Sequence, residues 1–169
     1  MKKMIILIFT TLLFLNSFSY ADKNMKIGSK GNLIDVSRTI KVKMYDNYYE
    51  PSSFSVHAGE TIKFEVENVG MLVHEFNIAN KMMHIKHQPE MSKMAENGIL
   101  LAFSIDKEKM KKMAKMDKYM GHSHSNSVLL EPKQKGEIIW KFINAFNIEI
   151  ACNVPGHYQA GMIAKVNIN

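Results

Sequence analysis

One short segment near the C-terminal end of the chain carries three side chains that bind soft metal ions. Cys152 lies five residues before His157, and His157 lies five residues before Met162. A thiolate, an imidazole and a thioether together suit copper in both of its oxidation states, and a second imidazole would complete a trigonal site with a weak axial thioether. His74 is the upstream candidate for that second imidazole. The spacing therefore predicts a mononuclear copper site.

Four alternative roles for Cys152 fit the sequence less well. A lone cysteine is often a small buried hydrophobe, and a nucleophilic Cys–His pair usually joins residues from distant segments. Structural zinc needs four nitrogen or sulfur ligands, whereas this chain has one cysteine. A two-copper electron-transfer site needs a second cysteine at the position of Gly156. Pro155 and Gly156 favour an irregular loop, which suits a set of metal ligands.

Residues 1–21 have the pattern of a secretory signal peptide. A lysine pair is followed by an apolar run over residues 5–15, and a small-x-small cleavage motif ends at Ala21. The run is shorter than the ~20 residues that span a bilayer, so we expect no membrane span. Residues 22–169 have the size of one domain, which we expect to be exported to the periplasm. An unpaired cysteine in such an oxidising compartment is protected when it binds a metal.

The positive charge of the chain is concentrated in one segment. The formal net charge is +6, of which Lys2 and Lys3 leave with the signal peptide, and much of the remaining excess lies between Lys107 and Lys118. A basic stripe can face nucleic acid or an anionic membrane, but export argues against nucleic acid. The simpler interpretation is the solvated face of a lysine-rich helix. We therefore expect no nucleic-acid partner.

Around eight short segments at the two ends of the chain have the composition of β-strands. Residues 61–67, for example, alternate apolar and polar side chains with a period of two. Short strands separated by turn signals predict an all-β fold, a β-sandwich, with Phe64, Trp140 and Phe142 in its core. We expect residues 22–33 to form a loose lead. The predicted strands are 39–45, 54–56, 61–67, 74–78, 127–130, 137–142, 147–151 and 162–168.

Residues 81–124 differ in composition from both flanking regions, and we expect them to form an insertion in the domain. They hold eight of the 14 methionines and four of the seven histidines. Asp106 can cap a helix from Lys107 to Met120, and Gly121 can end it. Four methionines of that helix fall within an arc of ~120°. This face either packs on the sandwich as adaptable core filler or, with the nearby histidines, provides additional Cu(I) binding.

Taken together, these features resemble the cupredoxin family, the type 1 blue-copper proteins that include plastocyanin, azurin, auracyanin and the phytocyanins. The similarity covers about residues 35–80 and 126–169. The four-residue gaps on either side of His157 look more like auracyanin and the phytocyanins than like plastocyanin or azurin. The segments that carry the resemblance are 60–64, 68–70 with His74, and 152–162.

This resemblance implies a Greek-key β-sandwich with copper at one end of the barrel. Its ligands would be His74, Cys152, His157 and, as a weak axial ligand, Met162. The methionine- and histidine-rich insertion makes the chain most similar to the periplasmic cupredoxins of bacterial copper-resistance systems. The sequence departs from the family at Glu75, where many cupredoxins have an asparagine that helps to tie the two ligand segments together. A carboxylate there is expected to favour the oxidised site electrostatically.

Three functions are compatible with these residues, and we rank them by how well the residues support each one. The first is copper handling in the periplasm, so that the cell tolerates the metal, and the insertion supports it. The second is a soluble electron-transfer shuttle. The resemblance implies that it would meet a redox partner protein at a small apolar patch around an exposed ring edge of His157. An enzyme comes last, because a multicopper cluster needs several His-x-His elements and residues 122–124 supply one. We therefore expect no catalytic activity.

Overall fold

The computed structural model describes residues 26–143 and 147–169, which form ten β-strands and two α-helices. The signal peptide predicted at residues 1–21 lies outside the described residues. In chain order the elements are β1 (Gly28–Lys30), β2 (Arg38–Tyr45), β3 (Tyr48–Glu50), β4 (Ser53–Val56), β5 (Thr61–Asn68), β6 (His74–Asn80), α1 (Lys81–Glu96), α2 (Lys107–Ala114), β7 (Ser127–Leu130), β8 (Lys135–Phe142), β9 (Ile148–Ala151) and β10 (Ile163–Ile168). Two short 3-10 helices lie at Leu33–Asp35 and Lys118–Gly121.

The strands form two five-stranded sheets. The first has the order β1-β8-β5-β2-β3, and the second has the order β4-β10-β9-β6-β7. Each contains one parallel pair, β2 with β5 and β4 with β10. Parallel neighbours cannot be joined by a tight hairpin, so the chain must leave the sheet between them. Between β2 and β5 the chain does so by placing β4 in the opposite sheet. The two sheets confirm the predicted β-sandwich.

Aromatic rings fill the space between the sheets. The alternation along β5 turns Phe64 inward, where its ring centroid lies 5.2 Å from that of Phe76 in the opposite sheet and 6.2 Å from that of Phe142. All three side chains are fully buried, and Trp140 is nearly so. Such tilted and edge-on aromatic pairs stabilise a core by ~0.5–1.5 kcal/mol each beyond the area they bury. The three predicted core aromatics are confirmed.

Two short strands were not expected from the sequence. The prediction of a loose lead at residues 22–33 is wrong at β1, which pairs with β8 and follows the buried side chain of Ile27. Three residues are too few to show an alternating pattern. Gly28 is required there, because its φ is +142° and a Cβ atom would overlap the carbonyl oxygen of Lys141. β3 lies in the turn-rich segment after β2 and forms a hairpin with it through Asn47, whose φ is +73°.

The insertion lies between the paired strands β6 and β7 and contains more helix than predicted. Asp106 caps α2 as expected by accepting a hydrogen bond from the backbone nitrogen of Lys109, but the helix ends at Ala114. Asp117 then caps the 3-10 helix that ends at Gly121. Helix α1, which contains Pro89, was not predicted. Of the helices in the described ranges, none is long and apolar enough to cross a membrane.

Three methionines of the insertion are part of the hydrophobic core. Met91, Met94 and Met120 are at most 1% exposed, whereas Met116 is 75% exposed. The buried face of α1 consists of His84, Met91 and Met94. A helix whose inner face lacks leucine, isoleucine and valine gives a weak amphipathic signal, which explains why the sequence did not reveal it. The packing alternative is thus correct for Met120, which belongs to the predicted methionine face, and Met91 and Met94, which lie outside that face, also pack in the core.

Replacing Met94 by alanine should lower the free energy of unfolding by about 2–5 kcal/mol, the usual cost of deleting a fully buried methionine side chain. The matched control is Met116→Ala, which removes the same atoms from the surface and should change stability by less than about 0.5 kcal/mol. Urea denaturation of the metal-free protein measures both. Equal effects in the two variants would contradict the packing of α1 on the sandwich.

Candidate metal centre

The segment between β9 and β10 is a closed loop that holds three of the predicted ligands. The backbone nitrogen of Cys152 donates to the carbonyl of Met162 at 3.2 Å, and the nitrogen of Met162 donates to the carbonyl of His157 at 3.0 Å. Gly156 and Gly161 have φ values of +89° and +90°, a region that other residues rarely adopt. The loop therefore fixes the positions of all three side chains relative to the ends of both strands.

The donor atoms of three predicted ligands meet at the end of the sandwich where β6 begins. The Nδ1 atoms of His74 and His157 are 3.2 Å apart, and the Sγ atom of Cys152 lies 3.3 Å from Nδ1 of His157 and 4.0 Å from Nδ1 of His74. Metal bonds to imidazole nitrogen and thiolate sulfur measure about 2.0–2.3 Å, so two donors of one ion can be at most about 4.3 Å apart. All three distances satisfy this limit, and the site fits a single ion.

Asp46 orients the first histidine. Its Oδ1 atom lies 2.9 Å from Nε2 of His74 and also accepts the backbone N–H groups of Met71 and Leu72. A carboxylate bound to one ring nitrogen holds the proton there and leaves the other nitrogen free for a metal. Gly70 makes room for this contact, because a Cβ atom at that position would overlap Asp46 Oδ1. Sequence reasoning did not find Asp46, which lies 28 residues before the histidine.

Burial keeps the three donors neutral in the absence of an ion. It raises the pKa of the Cys152 thiol and lowers the pKa values of His74 and His157. Asp46 opposes the shift at His74. Neutral imidazoles are the form that binds metals, and a bound cation would convert the thiol to the thiolate. The backbone N–H of Glu75 already points at Sγ of Cys152, at 3.3 Å, and would stabilise that negative charge.

Glu75 ties the two ligand segments together, the task that the family commonly gives to an asparagine. Its fully buried Oε2 atom accepts hydrogen bonds from the backbone nitrogen and the side-chain amide of Asn153, the residue after Cys152. Its backbone carbonyl accepts a hydrogen bond of 2.6 Å from the hydroxyl of Tyr49. Glu75 is thus fixed from both sides, and the departure from the family preserves the connection between His74 and the ligand loop.

The other carboxylate oxygen of Glu75 faces the insertion. Oε1 accepts hydrogen bonds from Asn77, His87, His122 and Ser127 at 2.8–3.0 Å. Burial alone would raise the pKa of Glu75, but the hydrogen bonds from His122 and His87 hold it well below its usual range. A buried carboxylate is tolerated only when it is paired and hydrogen-bonded in this way. Glu75 therefore links the insertion to the candidate metal centre.

The donor atoms of three of the four predicted ligands lie within 4.0 Å of one another. The fourth, Met162, is fully buried and is held by its backbone to Cys152 and His157. The residues that sequence reasoning missed are the supporting ones, Asp46 and Asn153. An aspartate or asparagine in a turn is too common to be a signal.

Comparison with known proteins identifies the family. Residues 4–96 match the cupredoxin-like domain family, a range that includes His74. The copper-resistant cuproprotein CopI of Pseudomonas aeruginosa is 42% identical over 147 residues, which is 83% of this chain and 81% of that protein. The chain belongs to the cupredoxin-like family. The protein of the same name from Rubrivivax gelatinosus is 30% identical over 146 residues, covering 86% of this chain and 74% of that protein.

A solved structure supports the same fold. Auracyanin from the photosynthetic bacterium Roseiflexus castenholzii, crystallised after reduction with dithionite, superimposes with a TM-score of 0.56. The match covers 79% of this chain and 98% of auracyanin at 17% sequence identity. Identity at this level supports the fold alone. The cupredoxin-like sandwich predicted from the sequence is confirmed.

Proposed function

We propose that this protein is a periplasmic copper-tolerance protein in which His74, Cys152 and His157 would hold one copper ion, with Met162 as a fourth, weaker ligand. The observation that carries the proposal is the convergence of three neutral, metal-binding atoms within 4.0 Å of one another at one end of a cupredoxin-like sandwich. The relatives whose names refer to copper resistance supply the physiological role. Export follows from the pattern of residues 1–21.

The contribution of the chain is to hold its ligands in one arrangement. Copper supplies a one-electron change between Cu(I) and Cu(II), two states that prefer different geometries. His74 is fixed by Asp46, and Cys152 by the Glu75 amide and by the loop backbone. Because His74 and Cys152 are fully buried and held by these hydrogen bonds, they would need to move little when the oxidation state changes. Such a site binds copper tightly and exchanges electrons without activating a substrate.

Cells that lack this protein should become more sensitive to copper, and the wild-type chain should restore their tolerance. The Cys152→Ala variant, expressed to the same level in the same compartment, should fail to restore it, because the thiolate is the strongest ligand of the proposed site. The measurement is growth over a range of copper concentrations. His57→Ala is the control, since His57 is an exposed histidine next to the β4–β5 turn, at the end of the sandwich away from the site. Full tolerance with Cys152→Ala would refute the role of the copper centre.

The surroundings of His157 favour a second candidate function, electron transfer to a partner protein. His157 is half-buried and lines an apolar depression of about 210 Å³ together with Pro155 and Leu101. Leu101 is 48% exposed, as expected of a small contact patch for a transient redox partner. Leu101→Glu separates the two functions. A shuttle would lose electron exchange with its partner while it keeps its copper, whereas a copper-tolerance protein would still restore growth.

A further inference from the structure

Three histidines of the insertion form a cluster apart from the candidate metal centre. The ring centroids of His87, His122 and His124 are 5.0–5.4 Å from one another. One ring nitrogen from each can be chosen so that all three lie within 4.8 Å of one another. His87 comes from α1, and the other two follow the 3-10 helix, so tertiary structure brings them together. Three nitrogens that share one ion through bonds of about 2.0–2.1 Å are about 3.5 Å apart, so the imidazoles would have to approach one another by up to about 1.2 Å to bind it.

Two carboxylates hold the imidazoles in place. Oε1 of Glu90 lies 2.9 Å from Nε2 of His124, and Oε2 of Glu90 lies 3.3 Å from Nδ1 of His87. On the other side of the cluster, Oε1 of Glu75 accepts from His87 at 3.0 Å and from His122 at 2.8 Å. Glu90 is 12% exposed and Glu75 is fully buried. Glu75 has the position of an outer support, because it fixes one ring nitrogen of His87 and one of His122. The other ring nitrogen of His87 faces Glu90, so a bound ion would replace the proton between these two groups.

The cluster is accessible to an ion. A surface pocket of about 250 Å³ is lined by His87, Glu90 and His124, so that two imidazoles and a carboxylate face it directly. His124 retains 30% of its side-chain exposure, whereas His122 lies behind it at 4%. An ion entering from this pocket would meet His124 and Glu90 first and then His87 and His122.

We propose that His87, His122 and His124, with Glu90 as the fourth donor, bind a second ion, copper in the Cu(II) state. Three imidazoles and a carboxylate are nitrogen and oxygen donors, which suit Cu(II), whereas thioethers select Cu(I). Among divalent first-row metals, Cu(II) binds such donors most tightly. The insertion would thus bind copper through its histidines, while Met91, Met94 and Met120 are held in the core. The choice of copper rests on the proposed function, whereas the existence of a metal site does not.

The decisive experiment counts copper in a background that lacks the thiolate of the first site, and it compares variants of the histidine cluster within that background. Purified mature Cys152→Ala protein, which lacks the thiolate, is equilibrated with Cu(II) and analysed for bound metal and by electron paramagnetic resonance. We expect the signal of a nitrogen- and oxygen-ligated Cu(II) ion. Adding His124→Asn should remove one equivalent of bound copper or weaken its binding at least tenfold. His87→Gln in the same background should have the same effect.

Controls separate loss of the ion from loss of the fold. His57→Asn in the Cys152→Ala background removes an exposed histidine elsewhere and should leave copper binding unchanged. His124→Asn alone should keep the colour of the first site, which shows that the sandwich is intact. If the double variants bind as much copper as Cys152→Ala, with equal affinity, the three histidines form only a hydrogen-bond network and the proposal is wrong. Tighter binding of Zn(II) than of Cu(II) by Cys152→Ala would overturn the assignment to copper.

The two proposals can fail separately. Absence of a thiolate-to-copper absorption in the wild-type protein would refute the first site, and the difference in bound copper between Cys152→Ala and its double variant with His124→Asn would still decide the second. Conversely, a coloured wild-type protein whose Cys152→Ala variant binds no Cu(II) would retain the first site and lose the second.

Discussion

Replacing Cys152 by alanine should abolish the visible absorption of the copper-loaded protein. The colour of such a site arises from charge transfer between the thiolate sulfur and Cu(II), and Cys152 is the sole cysteine of the chain. The fold should survive, because losing one small buried side chain and the hydrogen bond from the Glu75 amide costs about 1–3 kcal/mol, less than the usual stability of a domain. Visible and circular dichroism spectra of the purified variant measure both effects.

His57→Ala is the control for the loss of colour, since it removes an exposed histidine and should leave the spectrum unchanged. His74→Ala should give an intermediate result, with weaker or altered absorption, because one imidazole of the plane is lost while the thiolate remains. An unchanged absorption spectrum in Cys152→Ala would end the assignment of the site.

Replacing Glu75 by alanine should lower the free energy of unfolding by about 3–5 kcal/mol, a large part of the stability of a domain of this size. The carboxylate accepts six hydrogen bonds, from Asn77, His87, His122, Ser127 and, twice, Asn153. Its removal leaves buried donors without an acceptor and separates the ligand loop from β6. Urea denaturation of the metal-free protein measures the loss. Glu137→Ala, on the exposed side of β8, is the control and should have a small effect.

The same variant should change the response to acid. The pKa of Glu75 lies well below its unfolded value of about 4.5, because the hydrogen bonds from His122 and His87 outweigh its burial. Its stabilising contribution is therefore present above pH 4.5 and is lost as the pH falls below that value. Glu75→Ala should lose less stability between pH 5 and pH 3 than the wild type does. Some loss should remain, since Glu60, paired with Arg38, also has a pKa lowered to about 2. An equal acid response in both proteins would show that Glu75 is not ionised in the folded state.

The sequence was sufficient to predict the fold and the ligand loop. Cys152, His157 and Met162 lie in one segment of fixed spacing, so their proximity does not depend on the rest of the fold. The strands of the sandwich have alternating patterns that report directly which face is buried. His74 was recognisable because it follows residues 68–70, a segment that resembles the cupredoxin family. These features are local, and local patterns can be read without a structure.

The supporting contacts could not be predicted, because they join segments that are distant in the chain. Asp46 meets His74 across 28 residues, and Glu75 meets Asn153 across 78. Nothing in the local sequence of either pair specifies the partner. The insertion posed a different difficulty. Its composition suggested copper binding or packing, and only the tertiary structure separates the methionines that face the core from His87 and His124, which contact Glu90.

The separation of the ligands along the chain also bears on how the protein folds. His74 and His157 are 83 residues apart, and each sheet contains a parallel pair of strands that are distant in sequence. Folds dominated by such contacts form slowly, in milliseconds to seconds. During that time the thiol of Cys152 is open to oxidants, which attack exposed thiolates. Once the sandwich has closed, burial keeps the thiol protonated and unreactive. In the metal-free protein the thiol is therefore most vulnerable to oxidation while the chain is still unfolded.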